Sequence, residues 1–367
     1  MQRKIDRTLL TIVAMLVAIG FFIFSSASLG LLAREGARFS SVALNQILFG
    51  IVGGSIALFL MSGLHYRILR QYAFYIFLGT LLITLLVFMP GLGFSHGGAK
   101  RWILIGSFSF QPAELLKIGY VIYLATWLSG MKQYITNFLK GTLPFIGLMG
   151  LVGVIMLLQP DTDTYIIMAA AGMAMFITAG GRLRDVFGIV VAGLILLAIL
   201  AFSRPYIMER ITTFFDPSID PQGSSYQINQ SLIAVGSGGV AGRGFGQSIQ
   251  KFEYLPEPIG DSIFAVYSEE FGFIGSTILV LLFATLTFRG YRIATHAPDL
   301  FGMLLVVGFI TLIVTQAFLN IAAMLALAPL GGLPLPFISH GGTALLVTLA
   351  SIGIVLNVSK YQKRTVK

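Results

Sequence analysis

Apolar residues follow one another in runs of about twenty along almost the whole chain, broken by short polar stretches. Ten such runs stand out, at 8–28, 43–63, 72–90, 111–129, 142–158, 162–180, 184–202, 262–288, 299–327 and 342–358. Each is about long enough to cross a hydrocarbon core as a helix. In lipid the backbone must satisfy its own polar groups, and none of the runs alternates as a barrel strand does. The pattern predicts an all-α polytopic membrane protein of ten transmembrane helices, with residues 1–367 forming one membrane domain.

The pattern fails at length only once, over 203–260, between the seventh and eighth runs. This segment reads Arg210-Ile-Thr-Thr-Phe-Phe-Asp-Pro, Asp220-Pro-Gln-Gly-Ser-Ser-Tyr-Gln, Gly236-Ser-Gly-Gly-Val-Ala-Gly-Arg-Gly-Phe-Gly and Tyr254-Leu-Pro-Glu-Pro-Ile-Gly-Asp261. Long loops without secondary structure of their own are usually functional or disordered. This one keeps Phe214, Phe215, Tyr226, Phe245, Phe252 and Tyr254 and few charges, which argues against disorder. It is expected to fold back over the membrane domain and carry the function.

Charge then orients the helices. With a cytoplasmic N-terminus, the inner segments hold Arg3, Lys4, Arg7, Arg67, Arg70, Lys132, Lys140, Arg182, Arg184, Arg289, Arg292, Lys360, Lys363, Arg364 and Lys367, of 24 basic residues in all. Only Asp6, Asp185 and Asp299 accompany them, of 15 acidic residues. The positive-inside rule therefore places both termini in the cytoplasm and the large loop outside. The net charge of +9 is this bias, and an anionic leaflet accounts for it without nucleic acid. The first run, preceded by Arg3, Lys4 and Arg7, is too long for a typical signal peptide and is expected to stay as a span. With no cysteine, neither disulfide nor thiol chemistry is open to the chain.

Polar motifs gather at the outer helix ends. Gly97-Gly-Ala-Lys-Arg-Trp-Ile puts Lys100 and Arg101 just before the fourth helix, and Phe110-Gln-Pro-Ala-Glu-Leu-Leu-Lys117 puts Glu114 and Lys117 on one face within it. Ionisable residues inside a membrane default to function. Two readings stand, and both can hold at once: a mutual ion pair that fixes packing, and part of the wall of a polar cavity. Gln159-Pro-Asp-Thr-Asp-Thr carries Asp161 and Asp163, one expected to cap a helix and the other to face a cavity. Gly331-Gly-Leu-Pro-Leu-Pro-Phe-Ile-Ser-His-Gly-Gly-Thr343 looks like a re-entrant turn, in which His340 is read as structural rather than as a metal ligand. The glycines at 236–246 lack the Gly-Lys-Ser/Thr of a phosphate loop and are read as close backbone packing. Asp261 follows a rigid Pro-Glu-Pro segment at the start of the eighth helix, where it is either an N-cap or an aimed acid or base. Glu269 and Glu270, two turns further on, are expected to pair with basic residues such as Lys117.

Taken in order, Gly98-Ala-Lys-Arg-Trp-Ile, Gln111-Pro-Ala-Glu-Leu-Leu-Lys, Gln159-Pro-Asp, Ala179-Gly-Gly-Arg, Asp220-Pro-Gln-Gly, Tyr226-Gln, Gln247-Ser-Ile-Gln-Lys, Tyr254-Leu-Pro-Glu, Glu269-Glu-Phe-Gly-Phe-Ile-Gly and Leu335-Pro-Phe-Ile-Ser resemble the SEDS family (shape, elongation, division and sporulation). The resemblance covers nearly all ten helices and leans toward the FtsW branch over the RodA branch. It implies a peptidoglycan glycosyltransferase of the bacterial cytoplasmic membrane, active on its extracytoplasmic face. Such an enzyme polymerises lipid II with release of undecaprenyl diphosphate, beside a class B penicillin-binding transpeptidase and other divisome membrane proteins. The family's essential loop aspartate matches Asp261. Two departures stand out: Ile259-Gly-Asp replaces His-Thr-Asp, and His340 replaces a common Tyr.

The expected chemistry makes Asp261 the general base for the acceptor sugar's 4-hydroxyl. Lys100, Arg101 and Lys117, with Arg210 and Arg243, would offset the diphosphate charge. Glu114, Asp161, Glu257 and Ser339 complete the expected substrate-binding set. No ligand cluster in the sequence demonstrates a metal, and a divalent cation (Mg or Mn) sharing the diphosphate charge is the one cofactor left open. The rival readings are a lipid II flippase, a RodA-like enzyme of elongation, and a divisome scaffold. The concentration of motifs at the outer face favours an enzyme over a transporter built around its midplane.

Overall fold

The computed structural model describes residues 4–34, 42–96, 99–105, 108–218, 220–223 and 225–362. Gly97 and Gly98 of the second motif, and Arg3, Lys363, Arg364 and Lys367 of the charge pattern, lie outside the described residues. Helices form where the apolar runs require them: α1 Arg7–Arg34, α2 Val42–Gly63, α3 Arg67–Leu85, α4 Pro112–Gly130, α5 Phe138–Leu158, α6 Thr162–Thr178 and α7 Leu183–Ser203. After the polar segment come α11 Ile263–Thr295, α12 Leu300–Met324 and α13 Gly342–Ser359. Among the described residues eight of these, all but α4 and α6, are long and apolar enough to cross a membrane. α4 carries Glu114 and Lys117 and α6 has 17 residues; they stand where the other two expected spans fall.

Two features depart from the expectation. The chain is not all-α: Gly93–His96 (β1), Ala99–Ile105 (β2) and Phe108–Phe110 (β3) form an antiparallel sheet in the order β1-β2-β3, between α3 and α4. The 203–260 segment is also not simply a loop, since it contains α8 Pro205–Phe215, α9 Tyr226–Ser237 and the single turn α10 Gln250–Glu253. Proline at the first turn of α8 fits, because its missing N–H would be unpaired there anyway.

α12 and α13 form the centre of the bundle. α13 lies along α2, and α12 packs on α11, α6 and α4. α7 is almost wholly exposed, with Asp185 and Ala201 as its buried residues. Asp185 accepts a 2.7 Å hydrogen bond from Thr142, which ties the first turn of α7 to α5.

α11 breaks at Gly272, whose φ of 65° and ψ of −162° are open to glycine and strained for other residues. Broken backbone at membrane depth is tolerated only where protein supplies the missing partners. The glycine-rich strap 238–247 does so. Arg243 and Gly244 N–H donate to the carbonyls of Glu269 (3.0 Å) and Glu270 (2.9 Å), while Phe273 and Ile274 N–H donate to those of Gly239 (2.9 Å) and Val240 (3.1 Å). A Cβ on Gly242 would collide with the Glu270 carbonyl, so close backbone packing is what these glycines permit.

The end of the bundle holding both termini is fastened by side chains far apart in sequence. Asp299 caps α12 through the Gly302 N–H and accepts from Tyr66 (2.8 Å) and Arg67. Asp6 pairs with Arg289 at 2.7 Å, and its N–H donates to Ser359. Asn357 accepts from the Tyr66 N–H and donates to the Ser62 carbonyl.

Candidate active site

At the other end, the segment leading into α11 and the turn between α12 and α13 meet over α6. They enclose a cavity of about 110 Å³ whose polar lining is Asp163, Asp261 and Asn320. Among the described residues four non-glycine positions have positive φ: Pro160 (30°) in the turn before α6, Glu257 (45°) before Asp261, and Ala326 (54°) and Phe337 (68°) between α12 and α13. Such strain persists only where surrounding structure imposes it, and it clusters at functional sites.

Asp261 is held on every side. The Gln227 amide on α9 donates to its Oδ1 at 3.1 Å and to Ser262 Oγ at 2.9 Å. Asn320 Nδ2 donates to the Asp261 carbonyl at 2.7 Å. Ser339 Oγ donates to the Gly260 carbonyl at 2.7 Å, and His340 N–H to the Ile259 carbonyl at 2.7 Å. Asp261 is not the N-cap, since α11 starts at Ile263 after Ser262. Burial pushes its carboxyl up from 3.8, the Gln227 hydrogen bond pulls it partly back, and the charge of Glu257 pushes it up again; the balance is about 6. A carboxylate of that basicity is still ionised at neutral pH and is a better proton acceptor than an ordinary one.

The paired aspartates divide the roles expected of them, in a way the site set did not anticipate. Asp161 caps α6 through the Thr164 N–H and binds Gln111 and Arg101, so it is structural. Asp163 is the one that lines the cavity, and Arg210 of α8 binds it at 2.6 Å. Arg101 also donates to the Pro160 carbonyl, which fastens the small sheet to the start of α6.

Other members of the set stand elsewhere. Lys117 and Glu114 form a buried pair at 2.8 Å, with Lys117 also donating to Gln316, and neither lines the cavity. The mutual ion pair of the packing reading is therefore present. Glu269 and Glu270 do pair with basic residues as expected, but the partners are Arg243 of the strap and Lys251 of α10 rather than Lys117. Lys251 meets Glu270 at 2.7 Å with both side chains buried, and it also donates to Ser26 of α1. Glu269 accepts from Ser248 Oγ and from the Ile249 and Gln250 N–H groups, with Arg243 at 3.5 Å. Ser339 spends its hydroxyl on backbone, accepting from the Leu335 N–H as it donates to Gly260, so it supports the Asp261 loop. Lys100 is half-buried on β2. Glu257 lies in the turn before Asp261, its carbonyl accepting from the Gly260 N–H. His340 stacks on Phe24 at 5.8 Å, consistent with the structural reading. Among the described residues there is no group of three or more His, Asp or Glu side chains able to hold a metal.

The expected site set left out Gln227, although the Tyr226-Gln motif contains it, and sequence reasoning missed Asn320. Asn320 follows Gln316 by one helical turn on the same face of an apolar helix, a signal that could have drawn notice.

A multi-pass helical membrane protein with a strained, carboxylate-lined cavity at one helix end is the class that fold and site define. The chain belongs to the FtsW/RodA/SpoVE family of cell cycle proteins, whose family model matches residues 6–364. It is 39% identical over 358 residues to Stage V sporulation protein E of Bacillus subtilis (strain 168), covering 98% of each chain. It is 38% identical over 367 residues to the probable peptidoglycan glycosyltransferase FtsW of Geobacter metallireducens, covering 99% of this chain and 97% of that one. Among solved structures it resembles a chain of a peptidoglycan synthase complex that coordinates polymerization and crosslinking, with a TM-score of 0.80, 27% identity and 98% of both chains covered. Thermus thermophilus RodA superposes with a TM-score of 0.72 at 28% identity, again over 98% of both chains.

Proposed function

We propose that this chain is a peptidoglycan glycosyltransferase that polymerises lipid II during cell division, with Asp261 as its general base. The observation that carries the reading is Asp261 itself, held by the Gln227 and Asn320 side chains in a cavity beside Asp163, with its carboxyl raised to about 6. In the proposed step the Asp261 carboxylate takes the proton of the acceptor sugar's 4-hydroxyl. The freed oxygen bonds the anomeric carbon of the second unit, and the bond to undecaprenyl diphosphate breaks with inversion at that carbon. Arg210, which binds Asp163 at the cavity's edge, is the cation in position for this role, with Lys100 retained from the expected set. Charge developing on a leaving diphosphate is stabilised best by cations already in position.

The reading includes ten spans, with α4 and α6 as the fourth and sixth, both termini in the cytoplasm and the cavity on the extracytoplasmic face of the cytoplasmic membrane. The basic residues of the opposite end support that orientation. A divalent cation remains part of the reading. Of the two cavity carboxylates Asp163 is already engaged by Arg210, a set that fits a cation arriving on the diphosphate better than a resident one. The partner is proposed to be a class B penicillin-binding transpeptidase, supported by the likeness to a chain of a complex that coordinates polymerization with crosslinking. Use in division rather than elongation rests on the FtsW-named relatives, against the likeness to RodA.

The test is labelled lipid II given to the purified chain, alone and with a candidate transpeptidase. Glycan ladders support the reading. Lipid II crossing proteoliposome bilayers without ladders would transfer it to transport.

A further inference from the structure

One residue lining the cavity carries a polar atom that the proposed step does not use. Asn320 is 3% exposed, on the last turns of α12. Its Nδ2 donates twice, to the carbonyls of Asp261 and Leu333, each at 2.7 Å. Carbonyls only accept, so these two bonds decide which way round the amide sits. Its Oδ1 is thereby fixed, and it is buried with no hydrogen-bond partner. Leaving a buried acceptor unpaired is destabilising and uncommon, and each case asks for an explanation such as an absent ligand, water or ion.

The surroundings narrow the choice. The polar side chains of the lining are Asp163, Asp261 and Asn320, and with the Asn320 amide nitrogen committed to two carbonyls, the groups they have left to offer are oxygens. Ionised carboxylates and an amide oxygen accept hydrogen bonds and repel anions. Such a lining suits a surface rich in O–H and N–H groups, as a sugar bearing hydroxyls and an acetamide is, and not a diphosphate. The diphosphate belongs at the edge, where Arg210 stands.

We propose that Asn320 reads the acceptor sugar: its Oδ1 receives an O–H or N–H hydrogen bond from the sugar whose hydroxyl faces Asp261. The inference rests on the glycosyltransferase reading and assigns a specificity role within it. Because the same amide grips the Asp261 carbonyl, sugar binding and base position are set by one side chain. A site built to accept a substrate hydrogen bond discriminates strongly against an analogue that lacks it.

The test pairs the residue with the substrate group. Polymerisation by the native chain and by Asn320→Ala is measured on intact lipid II and on analogues, each lacking one sugar hydroxyl or carrying an N-methylated acetamide. With the native chain, one analogue should lose about tenfold in kcat/KM. Asn320→Ala should lose at least that on intact substrate and nothing further on that analogue. Losses that multiply on every analogue would show that Asn320 acts only on backbone, and would overturn the proposal. If Asn320→Ala does not fold, a structure of the native chain with a bound unreactive analogue decides. Oδ1 within about 3.2 Å of a sugar donor supports the proposal, and Oδ1 on an ordered water or a cation overturns it. A native chain that polymerises no lipid II removes the underlying reading, whereas multiplying losses in an active enzyme remove only the role of Asn320.

Discussion

The two ends of this helix bundle treat their polar groups in opposite ways. At the end with the termini, polar side chains close on partners drawn from distant segments: Asp299 on Tyr66 and Arg67, Asp6 on Arg289, Asn357 on Tyr66 and Ser62. At the cavity end, Asp261 is buried until its carboxyl rises to about 6, Asn320 Oδ1 has no partner, and four non-glycine residues sit at positive φ. The first arrangement joins helices at little cost. The second is destabilising, and such arrangements survive where activity needs them. The contrast separates scaffold from site more sharply than charge content does, since both ends carry ion pairs.

The largest expected effect tests whether satisfied pairs near the cavity are scaffold as well. Lys251→Ala would leave Glu270 buried and uncompensated, at a cost of about 3–5 kcal/mol, seen as a lower thermal midpoint or lost expression. Replacing both partners with Met and Leu should recover much of that. If Lys251→Ala kept full stability but lost turnover, the strap would belong to the site.

Next comes Arg210→Ala, which leaves Asp163 as an unpaired second carboxylate near Asp261. Polymerisation should fall by about 10–100-fold, with Asp163→Asn partly rescuing the loss if repulsion is its cause. At the opposite end, Asp299→Ala removes a helix cap and an ion pair, and should cost about 1–2 kcal/mol of stability. Turnover per folded molecule should not change; a matching fall would erase the distinction between the ends.

The smallest effect is a pH shift. Asp261 works ionised, so activity should fall as pH drops through about 6. Gln227 donates to the ionised form, so Gln227→Leu should move that limb to higher pH with KM changing less than kcat. A limb that stays put would detach Gln227 from the base. The linked stability runs the other way. A carboxyl raised in the folded state favours folding when protonated, so this contribution is complete below about pH 4 and is lost as pH rises through about 6.

A helix stands at each of the ten apolar runs, eight of them long and apolar enough to span, because an apolar run in lipid has one way to satisfy its backbone. The small sheet was not, since strands of three to seven residues beside glycines give too short a pattern to separate from a loop. Asp261 was legible through the Pro256-Glu257-Pro258 segment that aims it. A capping residue and a cavity residue were legible in Asp161 and Asp163, but the expected binding set named Asp161 where Asp163 lines the cavity, because only packing decides which of two such neighbours turns inward. The partners of Glu269 and Glu270 were out of reach. Lys251 lies on α10 just after the strap, nineteen residues before Glu270, and the strap that leads to it hydrogen-bonds across the break at Gly272.

The most direct test of the central assignment is Asp261→Asn, followed at once by polymerisation and by thermal midpoint. The substitution keeps shape and hydrogen bonding while removing the base and the buried charge. Glycan ladders should vanish, a loss of at least about 10²-fold, while the midpoint holds or rises. Ladders of native yield would contradict Asp261 as the base, and a collapsed midpoint would show that its charge holds the fold together.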